Sequence, residues 1–173
     1  MRFVTCTLAA QGAAILDILN EQIRTSTSVY EYAERTPESM VAWFKGKEAK
    51  QYPVIGVEDE SGALMGFATY GVFRERPAYK YTVEHSVYVH QDHRGKGLGL
   101  ALMERLIEAA RAQGLHVMVG GIDATNAASI ALHEKLGFVH AGTIRESGYK
   151  FGSWLDLAFY QLTLQTPRNP VEG

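Results

Sequence analysis

The chain reads as a mixed α/β (α+β) domain with element order βααβββαβαββ, and three observations carry that reading. Helical stripes of apolar residues alternate with short β-branched runs along the 173 residues. The tetrad Asp59-Glu60-Ser61-Gly62 joins two of those runs as a hairpin. At 87–99 a strand breaks into a basic, glycine-rich turn and then opens a helix. With 46% hydrophobic residues the length suits one domain, taken as 1–165, and a loose tail at 166–173 that carries Pro167 and Pro170.

Taken in order, residues 3–6 predict a first strand. Ile15, Ile18, Leu19, Gln22 and Ile23 then share one helix face, which predicts a helix over 11–24. The stretch 25–35 is polar, includes Tyr30 and Tyr32, and is expected to be an ordered covering loop. Thr36-Pro37-Glu38 starts a second helix, with Thr36 as N-cap, proline at the first helical position and an acid facing the dipole; its end falls near Glu48. Residues 54–58 and 63–70 are the hairpin strands, and 82–89 is a third strand of that sheet. Leu98, Leu102, Leu106 and Ala110 stripe a helix that closes at Gly114, and a buried strand follows at 117–122. A helix over 127–136 stops at Gly137. The last strands are 138–144 and 154–164, separated by the glycine-bearing stretch 146–152.

A net charge of −2 leaves no global footprint for nucleic acid or an anionic membrane, so any anion site must be local. Thr5, Thr7, Gln11 and Asp17 interrupt the N-terminal apolar stretch before a signal core could form, and no run approaches a membrane span. The single cysteine, Cys6, excludes an intramolecular disulfide. A cytoplasmic protein is expected.

That local site is the turn after the 82–89 strand. Gly95, Gly97 and Gly99 let backbone N–H groups approach a ligand, Arg94 and Lys96 add charge, and the helix start adds its partial positive end. A phosphate or pyrophosphate fits that combination. The spacing is not that of a Walker A loop, and Leu100 stands where the dinucleotide fingerprint wants a small residue.

Asp92-His93-Arg94-Gly95-Lys96-Gly97, with Arg94 opening Arg-Gly-Lys-Gly-Leu-Gly, resembles the Q/R-x-x-G-x-G/A signature of the GNAT N-acetyltransferase superfamily. Asn126 together with Ala131-Leu132-His133-Glu134-Lys135-Leu136-Gly137-Phe138 is similar to that superfamily's second cofactor element, and the element order is that of its fold. Within the superfamily, Tyr81-Thr82-Val83-Glu84-His85-Ser86-Val87-Tyr88-Val89, Ala141-Gly142-Thr143-Ile144 and Gly148-Tyr149-Lys150-Phe151-Gly152-Ser153-Trp154-Leu155-Asp156 resemble the phosphinothricin N-acetyltransferases, whose relatives acetylate methionine sulfoximine and methionine sulfone.

The resemblance implies acetyl-CoA as co-substrate and no metal. It sets the pyrophosphate at Arg94, Gly95, Lys96, Gly97, Leu98 and Gly99, the pantetheine arm beside Val87, Tyr88 and Val89, and further cofactor contacts at Asn126 and His133. It implies an acceptor site drawn from Phe73, Arg74, Glu75, Arg76, Tyr79, Glu84, His85 and Ser86, and a homodimer to which 138–164 contributes.

The residues themselves support parts of this. Strand alternation puts Thr82, Glu84, Ser86 and Tyr88 on a polar face opposite Val83, His85, Val87 and Val89. An ammonium group cannot attack a thioester until it loses a proton, and Glu84 is the candidate base. His85, on the other face, reads as a core histidine. His133 shares a helix face with Asn126 and Ile130, expected to point toward the cofactor; it either protonates the departing thiolate or only binds near the sulfur, with Tyr88 and Tyr149 as other candidate acids. Arg74, Arg76 and Lys80, interleaved with Phe73, Tyr79 and Tyr81, are either a solvated connector or a clamp for an acidic substrate. His90 and His93 lack two further convergent ligands for a metal, and Cys6 reads as apolar filler. The function expected is acetyl transfer to the α-amine of a small amino-acid analogue. The rivals are a protein N-terminus, lysine or polyamine as acceptor, and a non-catalytic acyl-CoA-binding module.

Overall fold

A computed structural model describes residues 1–172. The strands β1 (Arg2–Thr5), β2 (Val54–Glu58), β3 (Leu64–Val72), β4 (Thr82–Val89), β5 (Val117–Asp123), β6 (Val139–Lys150) and β7 (Ser153–Thr163) form one mixed sheet ordered β1-β2-β3-β4-β5-β7-β6. The helices are α1 (Leu8–Thr25), α2 (Pro37–Ala49), α3 (Leu98–Ala112) and α4 (Ala127–Lys135). The order matches the sequence reading. Contacts gather the chain into two compact units, Met1–Thr69 with Ser86–Leu106, and Tyr70–His85 with the chain from Ile107 onward.

In the first unit, β1 and β2 pair antiparallel from Arg2 against Glu58 to Thr5 against Ile55, and β2 pairs with β3 through the expected hairpin. Asp59 builds that turn: its Oδ1 accepts the N–H groups of Ser61 at 2.8 Å and Ala63 at 3.0 Å, and Gly62 takes a φ of 87°. Helix α1 begins three residues earlier than periodicity predicts, because the Thr7 hydroxyl accepts from Ala10 N–H at 3.2 Å and caps it there. Thr36 caps α2 as expected, in a reciprocal box with Ser39. Cys6, Ile15, Ile18, Leu19, Met40, Val54, Leu64 and Phe67 form the core. A Cβ on Gly56 would lie 2.5 Å from Cys6 Sγ, so the thiol fills space that glycine leaves. Burial, and then the Glu58 carboxylate, push that thiol up to about 12. It is no nucleophile at neutral pH.

In the second unit, β5 is parallel to the start of β4, with Thr82, Val83 and Glu84 opposite Val117, Met118 and Val119. Its other edge is antiparallel to β7, from Val117 against Thr163 to Asp123 against Leu157. The sequence reading ended β6 too early. The strand continues to Lys150 by fitting residues 145–147 opposite the single residue Asp156 as an irregularity, and it turns at Phe151 and Gly152, whose φ angles are 52° and 76°. The segment expected as a loose tail makes specific contacts: His116 Nδ1 lies 2.7 Å from Thr166 O, and the Tyr81 hydroxyl accepts from Val171 N–H at 3.1 Å.

Candidate active site

The basic turn leaves β4 through His90, whose N–H donates to Met65 O at 2.8 Å, and through a short 3-10 turn at Gln91–His93. Gly95 and Gly97 hold φ angles of 75° and 76°, and a Cβ at either would meet open space. Backbone conformation, not crowding, therefore requires glycine at these two positions. Leu98 is buried and anchors the start of α3. Around the turn, Lys96 Nζ donates to Asp92 O at 3.1 Å and Arg94 Nη2 donates to Glu21 Oε2 at 2.7 Å. Burial alone would raise the Glu21 carboxyl, but hydrogen bonds from Thr25 and Arg94, with the Arg94 charge, hold it below its ordinary range. The result is a pre-formed basic turn at a helix start, which suits a diphosphate. Tyr88 packs against the core, with its ring 5.5 Å from Phe67. His90 and His93 rings lie 5.8 Å apart, and among the described residues no group of three or more His, Cys, Asp or Glu is placed to hold a metal.

Glu84 sits on the polar face of β4. Burial pushes its carboxyl up, and Arg74 partly offsets the shift. A raised carboxyl is better matched to taking a proton from an amine. Space for it is provided on β5, where a Cβ on Gly121 would stand 3.0 Å from Glu84 Oε1. Residues Val72, Phe73, Arg74, Glu75 and Arg76 line a surface concavity of about 490 Å³. There the Arg74 guanidinium lies 5.3 Å from the Phe73 ring, which in turn packs edge-on at 5.6 Å against Tyr79. The strand is thus polar and acidic at Glu84, with cations and aromatic rings in the loop just before it.

The other face of β4 is different. His85 is 7% exposed and His133 1%, with their rings stacked 4.9 Å apart and their Nε2 atoms 2.9 Å from one another. His133 Nδ1 lies 2.6 Å from Ser129 O. A carbonyl can only accept, so Nδ1 carries the hydrogen; neutral His133 then has a bare Nε2, and His85 Nε2–H donates to it. His85 Nδ1 is left as a buried acceptor without a protein partner. Burial, and then its neighbour His133, lower His85 to about 3; burial lowers His133 too, although its bond to Ser129 opposes the shift. Gly120 makes the pair possible, since a Cβ there would lie 2.7 Å from His85 Nε2 and 3.0 Å from His133 Nε2.

A family model described as the acetyltransferase (GNAT) family matches residues 14–138. The chain belongs to that family. It is 46% identical over 155 residues to an L-methionine sulfoximine/L-methionine sulfone acetyltransferase of Pseudomonas paraeruginosa, across 90% of each chain. It is 39% identical over 164 residues to the phosphinothricin N-acetyltransferase of Streptomyces viridochromogenes, across 94% of this chain and 87% of that one. Its structure is similar to that of a GNAT superfamily phosphinothricin acetyltransferase from Sinorhizobium meliloti in complex with AcCoA, with a TM-score of 0.94 at 34% identity, over 99% of this chain and 94% of the other.

This GNAT chain is an acetyl-CoA-dependent N-acetyltransferase. The structure sets two of these residues deeper than spacing suggests. His85 is buried with its ring against His133. The His133 ring turns inward, with Nδ1 against Ser129 O and Nε2 against His85 Nε2. Asn126 does sit at the start of α4, where its Oδ1 accepts from Ser129 N–H at 3.1 Å. Tyr149 packs edge-on against Trp154 at 5.0 Å. Gly120 and Gly121 were missed, although a glycine doublet inside a β-branched strand is a signal of close approach. Glu21 carried no such signal, lying 73 residues from Arg94.

The doublet yields a prediction. Gly120→Ala is expected to destabilise the GNAT fold by about 1–3 kcal/mol, because two packed rings cannot both withdraw. Gly121→Ala meets the movable end of Glu84 and the Leu157 side chain, with the Phe159 ring at ordinary contact distance, and should lower turnover more than stability. Urea unfolding of both variants checks this, and equal destabilisation would refute the distinction.

Proposed function

We propose that this enzyme acetylates the α-amine of a small amino-acid analogue of the L-methionine sulfoximine, L-methionine sulfone and L-phosphinothricin class. The observation that carries the reading is Glu84, a partly buried carboxyl with raised pKa, following a loop whose Arg74 acts on it electrostatically. Arg74 and Arg76 hold the anionic groups of the acceptor, and Phe73 and Tyr79 enclose its short side chain. The turn formed by Arg94, Gly95, Lys96, Gly97, Leu98 and Gly99 receives the diphosphate of acetyl-CoA, Val87, Tyr88 and Val89 run beside its pantetheine arm, and Asn126 adds a contact at the start of α4.

Glu84 takes the ammonium proton, directly or through water. The freed lone pair attacks the thioester carbonyl carbon, the C–N bond forms, the C–S bond breaks, and CoA leaves as a thiolate that takes up the second proton shed by the nitrogen as it becomes an amide. Backbone N–H groups near Val87 stabilise the carbonyl oxygen as it gains charge. Ser86 and Glu75 complete the acceptor surface.

The test is CoA-thiol release with each analogue, ordinary amino acids and an N-terminal peptide offered separately. Turnover confined to the analogues is expected, and turnover confined to the peptide would overturn the acceptor assignment. Arg74→Glu should raise the acceptor KM roughly 10- to 100-fold through loss of a charge-assisted bond, with a smaller change in kcat. The reverse split would remove Arg74 from the binding role.

We further propose a homodimer. Edge strand β6 and its hairpin with β7 expose Val139, Ile144, Phe151 and Trp154, the last at 63%. A second copy related by a two-fold axis would cover this apolar edge and pair its open backbone. Sedimentation as a monomer at micromolar concentration would reject it.

A further inference from the structure

The buried histidines belong to a longer chain of hydrogen bonds. His85 Nε2–H donates to His133 Nε2 at 2.9 Å, His133 Nδ1–H donates to Ser129 O at 2.6 Å, and Ser129 N–H donates to Asn126 Oδ1 at 3.1 Å. The chain starts on β4, one residue past Glu84, and ends on the N-cap of α4. Each link has a forced direction. Ser129 O can only accept, which puts hydrogen on His133 Nδ1 and leaves its Nε2 bare; the bare nitrogen requires a donor, which His85 supplies. Asn126 Oδ1 accepts from the helix N–H of Ser129, which turns the Nδ2–H groups of its carboxamide away from that bond, where they can donate.

Such an arrangement is unusual filler for a core. Two imidazoles lose hydration, and one of them keeps an unpartnered Nδ1. An aliphatic pair would fill the same volume without that loss. What the imidazoles add is direction: a fixed tie between strand β4 and the first turn of α4, which a Leu side chain cannot provide.

We propose that His85 is a positioning residue that acts through His133 and Ser129 to hold the Asn126 carboxamide in place as a hydrogen-bond donor to acetyl-CoA. This rests on the reading of Asn126 as a cofactor contact, and it assigns His133 to the tie and not to acid catalysis. It leaves the identity of the acceptor amine open.

Equilibrium binding of acetyl-CoA, followed without any amine, separates this inference from the acceptor assignment. His85→Leu is expected to weaken acetyl-CoA binding and raise its KM by roughly tenfold, leaving the acceptor KM within about twofold. His85→Gln, which restores a donor near the position of Nε2, should recover most of that loss. Asn126→Ala should weaken binding alone, and adding His85→Leu to it should weaken binding no further. Additive losses, no rescue by Gln, or a change confined to the acceptor KM would each overturn the proposal. Imidazole nitrogen NMR of the unaltered protein tests the same tie whether or not a variant folds: hydrogen on His133 Nδ1 and His85 Nε2 is required, and hydrogen on His85 Nδ1 would refute it.

Discussion

Replacing Glu84 by Gln is expected to lower kcat by about 100- to 10,000-fold, the range for loss of a positioned general base, while acetyl-CoA binds as before. Gln keeps the shape and the hydrogen-bonding reach of the side chain but cannot take a proton. The acceptor amine would then remain an ammonium ion until solvent removed its proton. The pH profile should change in a defined direction. In the unaltered enzyme the base must be ionised, so activity falls as pH drops through the Glu84 pKa, which burial has raised above the ordinary carboxylate range. Arg74 holds that pKa down, so Arg74→Glu should move the acidic limb to higher pH even where acceptor is saturating. In Glu84→Gln this limb should vanish, leaving only the dependence set by the amine. Full turnover with an unshifted profile would exclude Glu84 as the base.

Acidification should destabilise the protein before its ordinary carboxylates protonate. His85 is lowered from 6.5 to about 3, so between those values the unfolded chain binds a proton that the folded chain refuses. Stability from this group is complete above the unfolded pKa and is lost as pH falls toward the folded one. Lowering the pH from about 7.5 to about 5 should cost about 2 kcal/mol through His85 alone, and lowered His133 adds loss of the same sign. Glu84, with its raised carboxyl, acts in the opposite direction. The rings around the pair are those of Phe138 and Tyr160. Urea midpoints measured across this range should slope steeply for the unaltered protein and flatten in His85→Gln. An unchanged slope in the variant would place its origin elsewhere.

The local pattern of the chain was enough for the element order, for the cap at Thr36, for the hairpin at Asp59-Glu60-Ser61-Gly62 and for the basic turn, because each depends on residues within a few positions of one another. Strand alternation likewise separated the faces of Glu84 and His85. Boundaries went astray where a side chain or an irregularity outweighed periodicity, as with the Thr7 cap of α1 and the extension of β6 beyond Ile144.

Only the tertiary structure decided where the His133 ring lies. Helical spacing sets it three residues past Ile130 and seven past Asn126, and so suggests a shared outward face; spacing cannot reveal a second imidazole 48 residues away in the chain. That partner, the missing Cβ at Gly120 and the carbonyl of Ser129 together turn the ring inward. Chemistry that rests on neighbours in sequence is legible from sequence, while the protonation and reach of a buried group depend on which distant atoms desolvate it and which accept its hydrogen.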